Sequence, residues 1–266
     1  MKSWEIIVAI CSILLFGFLF SRDLLARFAW QKYHSPATAL VLASQDTKLL
    51  MQLGNYYFNG GAYDLARAKK AYEKTLRVDS KILWGHYQLG RIYFVEGKFD
   101  SALEEIEREL EANPENLRSL YVRGLIYGYR GQAGDLAKAE ADFQRFTQWI
   151  PGEWGGYNDL AWILVKSGKY EESKNAILRA FENVPNGREN PWLWNSLGVA
   201  FLNMGKGNEA KVAFENALRY SEGITETEWR KAYPGNNPAS AGEGPQAFRN
   251  AIEENLRRAG VGVSAQ

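Results

Sequence analysis

The sequence predicts an all-α chain of helical hairpins stacked as a solenoid, and three observations carry that expectation. The first is one stretch, PWLWNSLGVAFLNMGKGNEAKVAFENALRY, beginning at Pro191. In it Trp194, Leu197, Gly198 and Phe201 stand at W-x2-L-G-x2-aromatic, a Gly-containing turn follows at Gly205, and Ala210 and Phe214 stand at A-x3-F before Ala217. Apolar residues three and four apart share one helix face, and the small Gly198 and Ala210 let two such helices approach closely. The second is recurrence. Leu53-Gly54, Leu89-Gly90, Arg123-Gly124 and Leu160-Ala161 occupy the Leu197-Gly198 place at a spacing of 34–37 residues. The third is length: 266 residues suit one array of such units, and stacked units bury the apolar face that a lone hairpin leaves open.

The elements follow in chain order. Residues 6–20 carry no charge, a run of about fifteen residues, or ~22 Å of helix, against the ~20 residues that a bilayer core prefers. No small-x-small cleavage site follows: Gly17-Phe18-Leu19 and Phe18-Leu19-Phe20 end in bulky residues, and Ile10 before Cys11 argues against a lipoprotein. Between a cleaved signal peptide and an uncleaved anchor, the expectation is a single-pass transmembrane anchor over 1–21. Arg22, Arg27 and Lys32 after the run favour a cytoplasmic solenoid, whereas a short basic tail carrying Lys2 favours the reverse; of the two, the extracytoplasmic side is expected. Residues 22–46 form a helical stalk. Leu24, Leu25, Phe28 and Trp30 sit there among Arg22, Arg27 and Lys32, which suits either a headgroup layer or packing on the first repeat. Ser35-Pro36 starts a short helix that covers the open end of the first repeat, and Asp46 caps the helix after it. Repeats are expected near 47–82, 83–116, 117–153, 154–190 and 191–222. A loop over 223–244 follows, rich in Gly, Asn, Pro and Ser from Tyr233 onward. Residues 245–260 then form a capping helix with Phe248, Ala251, Ile252 and Leu256 on one face.

The five registers resemble the tetratricopeptide repeat (TPR) family over 47–222. The departures are Arg123 where Leu is usual, Ala161 where Gly is usual, and no Pro near Ser80 or Glu222. The resemblance implies that the first helix of each repeat lines a concave groove. At the matching positions it implies a peptide-binding set of Asn55, Trp84, Tyr87, Arg91, Arg118, Tyr121, Asn158, Trp162, Trp192 and Asn195. Rings supply apolar contact and amides bond an extended backbone. Some family members clamp a C-terminal carboxylate. Asn55 and Arg118 fit two of those places, but Met51 stands where Lys is needed, and Gln88 and Val122 replace Asn and Arg, which argues against such a clamp.

Composition narrows the function. Lys+Arg is 32 and Asp+Glu 31, with no basic stripe of the kind that binds nucleic acid. One Cys and two His, His34 and His86, give no disulfide framework and no zinc set. His86 occupies the repeat place of Tyr157 and Trp194, a core position. Gly60-Gly61 and Gly205-x-Gly207 sit in hairpin turns rather than in a phosphate loop. The run Glu104, Glu105, Glu107, Glu109 and Glu111 reads as the solvated outer face of a second helix. No catalytic residue, cofactor, metal or small-molecule substrate is expected. The expected function is a membrane-anchored scaffold that binds a partner protein or extended peptide through its groove. The alternative is a structural assembly subunit of a membrane or envelope complex that uses its convex face or stalk.

Overall fold

The computed structural model describes Val8, Gly17, Phe18 and residues 21–59, 64–232 and 244–263, and every regular element among them is helical. After α1 (residues 21–31) come α2 (Pro36–Leu42), α3 (Thr47–Asn59), α4 (Leu65–Val78), α5 (Gly85–Val95) and α6 (Phe99–Ala112). Then follow α7 (Leu117–Arg130), α8 (Asp135–Trp149), α9 (Trp154–Lys166), α10 (Tyr170–Asn183), α11 (Pro191–Asn203), α12 (Gly207–Ser221), α13 (Glu226–Ala232) and α14 (Gly244–Val263). The chain divides into two compact units, residues 1–92 with 111–113, and residues 93–110 with 114–266.

In the first unit, α3 buries Leu49, Leu50, Leu53, Tyr57 and Phe58, and α4 buries Ala68, Ala71 and Tyr72. The helices α1 and α2 are built onto this hairpin. Ala26, Ala29, Ala39 and Leu40 are buried. The Asp23 carboxylate accepts from the backbone N–H of Ser44 at 2.6 Å and of Gln45 at 3.0 Å. Lys74 Nζ, on α4, donates to the carbonyls of Leu40 at 2.7 Å and Ala43 at 2.8 Å, which supplies partners to the end of α2 that the helix itself cannot. Asp46 caps α3 by accepting from Leu49 N–H at 3.1 Å, and Arg27 donates to the same carboxylate at 2.5 Å. Of the two roles open to residues 22–46, packing on the first repeat is the one seen.

The expected membrane anchor is corrected. Among the described residues, no helix is long and apolar enough to cross a membrane. The run 6–20 lies outside the described residues except at Val8, Gly17 and Phe18. About fifteen apolar residues fall short of the ~20 that a spanning helix needs.

The second unit contains the hairpins α7–α8, α9–α10 and α11–α12. Asn116 caps α7 by accepting from Ser119 N–H at 3.2 Å, and Asn190 caps α11 by accepting from Trp192 and Leu193 N–H at 3.0 and 3.1 Å, with Pro191 at the first helical position. The Leu-Gly signature has a steric cause. A Cβ on Gly198 would lie 2.5 Å from the Phe214 ring, so only glycine lets α12 approach α11 this closely. The turn between these helices needs Gly205, whose φ is +74°. Ala161 is tolerated because its partner helix presents small residues: Ser173 is buried, and its hydroxyl donates to the Ala161 carbonyl at 3.1 Å.

Arg123 departs from the repeat pattern, and α8 explains it. Its guanidinium makes two hydrogen bonds to the Asp142 carboxylate, at 2.8 and 2.7 Å, with Asp142 almost wholly buried. A second fork ties the α7–α8 turn. Arg130 donates to Asp135 at 2.9 and 2.8 Å and to Asp100 of α6 at 2.7 Å. The acidic run on α6 is not solvated throughout: Glu109 is buried and accepts from Asn116 Nδ2 at 3.2 Å. Along the end of the unit, Ile252 and Ala259 of α14 pack with Ala210, Phe214 and Ala217 of α12.

Candidate protein-binding surface

In the first unit the residues of interest form a polar chain beside aromatic rings. Asn55 Oδ1, on α3, accepts from the Tyr72 hydroxyl at 2.8 Å and from Gln88 Nε2 at 3.2 Å. Gln88 Oε1 in turn accepts from Arg91 at 3.1 Å. Arg91 is buried, with its guanidinium 4.6 Å from the Phe58 ring centroid and 5.6 Å from that of Tyr87. Burial pushes the Tyr72 hydroxyl well above the usual phenol range. Gln88 thus links Asn55 to Arg91, and Tyr87 lies against the Arg91 guanidinium. Trp84 stands at the entrance to α5, 39% exposed and with a positive φ of 73°, its ring 5.3 Å from Tyr87 in an edge-on pair. That φ is an outlier for a bulky residue.

In the second unit, three first helices meet side by side. The Tyr121 hydroxyl of α7 donates to Asp159 of α9, Asn158 Nδ2 donates to the same carboxyl at 3.2 Å, and Ser196 of α11 donates to Asn158 Oδ1 at 2.8 Å. Beside this polar ladder runs an aromatic one: Phe94 to Tyr129 at 5.6 Å, then Tyr129 to Trp162 at 5.0 Å. Trp162 packs on α7 at Gly128, where a Cβ would sit 2.6 Å from the indole. Lys166 Nζ lies 4.9 Å from the Trp162 ring and donates to the Gly128 carbonyl at 2.7 Å. Tyr121, Tyr129, Asn158, Asp159 and Trp162 all keep part of their surface open. Arg118, in the first turn of α7, is exposed.

Trp192 and Asn195 have different surroundings from the others. Trp192 is sandwiched between Trp154 at 4.9 Å and Phe248 of α14 at 5.4 Å, with Trp229 of α13 at 6.2 Å. Asn195 Oδ1 accepts from Asn255 of α14 at 3.4 Å. Repeat position assigns both to the first-helix face, and the C-terminal helices cover that part of it.

Asp159 escaped the sequence reading. Its signal was the repeat period itself, since residue 121 and residue 159 fall 38 apart, about one repeat, on neighbouring first helices. Burial pushes the Asp159 carboxyl up to about 6, against the Tyr121 and Asn158 hydrogen bonds that lower it. Tyr129 is pushed up to about 12 by burial and by the nearby Asp159 charge. A raised carboxyl means that the folded chain holds its proton at higher pH than the unfolded chain does. The stability Asp159 contributes is therefore full below pH ~4 and is lost as pH rises through ~6. Asp159→Asn is expected to raise stability at pH 8 by up to about 3 kcal/mol and to change little at pH 4. Urea denaturation at the two pH values checks this; an equal effect at both would remove the burial argument.

Comparison with known proteins supports the repeat reading. Tetratricopeptide repeat family models match residues 87–149 and 155–185. The chain is 29% identical over 165 residues to the TPR repeat-containing protein MJ1428 of Methanocaldococcus jannaschii, covering 62% of this chain and 28% of that protein. It is 24% identical over 202 residues to the BBSome complex member BBS4 of Bos taurus, covering 73% of this chain and 35% of that protein. The chain thus spans about a third of the length of these curated relatives. Among solved structures, MamA matches with a TM-score of 0.56 at 20% identity, over 70% of this chain and 93% of that one. YrrB, described as a TPR protein with an unusual peptide-binding site, matches with a TM-score of 0.56 at 19% identity, over 71% and 93%. The two family models and the shared fold together support a tetratricopeptide repeat protein of the all-α solenoid class.

Proposed function

We propose that the chain is a non-catalytic scaffold that receives an extended segment of a partner protein on the first-helix face of its repeats. The observation that supports this best is the part-exposed ladder of Tyr129 and Trp162 on α7 and α9, flanked by the polar residues Tyr121, Asn158 and Asp159. Rings of this kind supply contact area at low entropic cost, and binding hot spots are enriched in Trp and Tyr. YrrB, with the same fold, is described as having a peptide-binding site, which agrees with a peptide as the class of partner. The expected test result is that Trp162→Ala weakens retrieval of partners by at least about tenfold, the factor for 1.4 kcal/mol. Its melting curve must be followed in parallel, because Trp162 also packs on Gly128. A folded Trp162→Ala protein that retrieves the same partners with the same strength would overturn the reading.

A second reading, an assembly subunit that uses its outer face, has one observation in its favour. A cleft of about 500 Å³ lies among α8, α9 and α10, floored by Leu160 and Leu164 and walled by Glu140, Lys169, Leu178 and Arg179. Leu178→Asp with Arg179→Glu is expected to leave partner retrieval unchanged if the first-helix face is the binding surface, and to abolish it if the cleft is.

A further inference from the structure

We infer that the first unit rests on an anionic lipid surface through the outward face of α1 and the cationic row of α4, lying on that surface without crossing it. The inference concerns the first unit alone and is independent of the peptide-binding reading of the second.

Three observations carry it. First, the charges that nearly cancel over the whole chain do not cancel here: the first unit holds 12 Lys+Arg against 7 Asp+Glu. On α4, Arg67, Lys69, Lys70, Lys74 and Arg77 stand against Glu73 alone. Second, the fold gathers cations without giving them acids. Lys70, Lys74 and Arg77, four and three residues apart, share one face of α4. Arg22 of α1 reaches the same place: its guanidinium and Lys74 Nζ both donate to the Val41 carbonyl, at 3.2 and 3.4 Å. The neighbouring carboxylates are committed elsewhere, Asp23 to the backbone N–H of Ser44 and Gln45, and Asp46 to Arg27. Among the described residues no acid pairs with Lys32, Lys70 or Arg77. Burial, then repulsion from Lys70, Arg22 and Arg77, lowers the Lys74 pKa, so these cations act on one another and an arriving anion relieves them. Third, apolar side chains stand open beside the cations. Ala26 and Ala29 of α1 are buried, while Leu24, Leu25 and Phe28 are 56, 55 and 46% exposed. Lys32 Nζ lies 5.1 Å from the Phe28 ring centroid, and Val41, whose carbonyl Arg22 and Lys74 share, is 62% exposed. An anionic bilayer surface accepts both kinds of group at once, the apolar ones at the acyl boundary and the cations among the headgroups. An acidic peptide or a nucleic acid would meet the cations and leave Leu24, Leu25 and Phe28 in water. Contact of this kind needs a helix lying in the interface and none that crosses it.

The test measures partitioning of the full chain onto vesicles of phosphatidylcholine, alone or with about a third phosphatidylserine. The anionic vesicles are expected to bind at least about tenfold more strongly than the neutral ones, and to lose that advantage at ~0.5 M salt. Lys32→Gln with Lys70→Gln and Arg77→Gln is expected to weaken anionic-vesicle binding about a hundredfold, at about fivefold per cation. Leu24→Ser with Phe28→Ser is expected to weaken it by about tenfold or more. All five side chains are exposed, and circular dichroism confirms that both variants are folded. Equal binding to the two kinds of vesicle, or anionic-vesicle binding that either variant leaves unchanged, would overturn the inference. So would a polyglutamate peptide that binds the unaltered protein and the Leu24→Ser, Phe28→Ser variant alike while anionic vesicles bind neither, a result that gives the cations to an acidic protein segment. These readouts come from the first unit, so their failure leaves the outcome for Trp162→Ala untouched.

Discussion

Replacing Arg123 by alanine is expected to destabilise the second unit by about 3 kcal/mol, the range for breaking an enclosed pair by removing one partner. The guanidinium meets Asp142 through two bonds, and the Asp142 side chain is 7% exposed against 27% for Arg123. Removing the cation strands an enclosed carboxylate between α7 and α8. The pair itself is a different quantity. Arg123→Leu together with Asp142→Leu replaces two charges by apolar volume, and the double variant is expected to be about as stable as the unaltered protein, since desolvation offsets most of the attraction. Chemical denaturation of Arg123→Leu, Asp142→Leu and the double variant gives the coupling between them. A double variant as unstable as Arg123→Ala would show that the loss comes from repacking rather than from the stranded charge.

Removing residues 244–266 is expected to release the α11–α12 hairpin. Ile252 is fully buried against Ala210, Phe214 and Ala217, and Phe248 stacks on Trp192 at 5.4 Å with a 14° tilt. Truncating one such aliphatic side chain to alanine costs about 2–5 kcal/mol, and the deletion removes the whole face at once. Repeat arrays draw stability from intrinsic and nearest-neighbour terms, so the loss should be local. Hydrogen exchange should speed up sharply in α11 and α12 and much less in α7 and α8. Unchanged protection in α11 and α12 would mean that α14 is a passenger. Ile252→Ala in the full chain provides a milder version with the same sign.

The hairpins were legible because their signature has a local steric cause. Gly198 is glycine because Phe214 leaves no room for a Cβ, and that requirement recurs in sequence at the repeat period. What was not legible depends on partners far along the chain. Arg123 looked like a defect until Asp142, 19 residues on, was seen to meet it. Glu109 looked solvated as one of a run of acids, yet Asn116 reaches back to it in the interior. Trp192 was assigned to an open face by repeat position, a rule blind to the return of α14 over the last repeat. The uncharged run 6–20 and the missing cleavage site suggested an anchor over 1–21, and no spanning helix is found among the described residues. The stalk after that run proved to be part of the packed first unit, since Asp23 and Lys74 tie α1 and α2 to the α3–α4 hairpin. Of the expected groove residues, Tyr121, Asn158 and Trp162 lie together, while the acid between them, Asp159, carried no mark in the sequence beyond its place in the period.

The central claim is that a partner segment lies on the first-helix face, and one mapping experiment addresses it directly. A photoreactive group is placed at each position in turn of a peptide selected on the full chain from a random display library, and the crosslinked residues are identified by mass spectrometry. Crosslinks concentrated on α7 and α9, at and around Tyr121, Tyr129 and Trp162, are the predicted result. Crosslinks concentrated on α8 and α10, around Gln144, Leu178 and Arg179, would contradict the account and place recognition in the outer cleft.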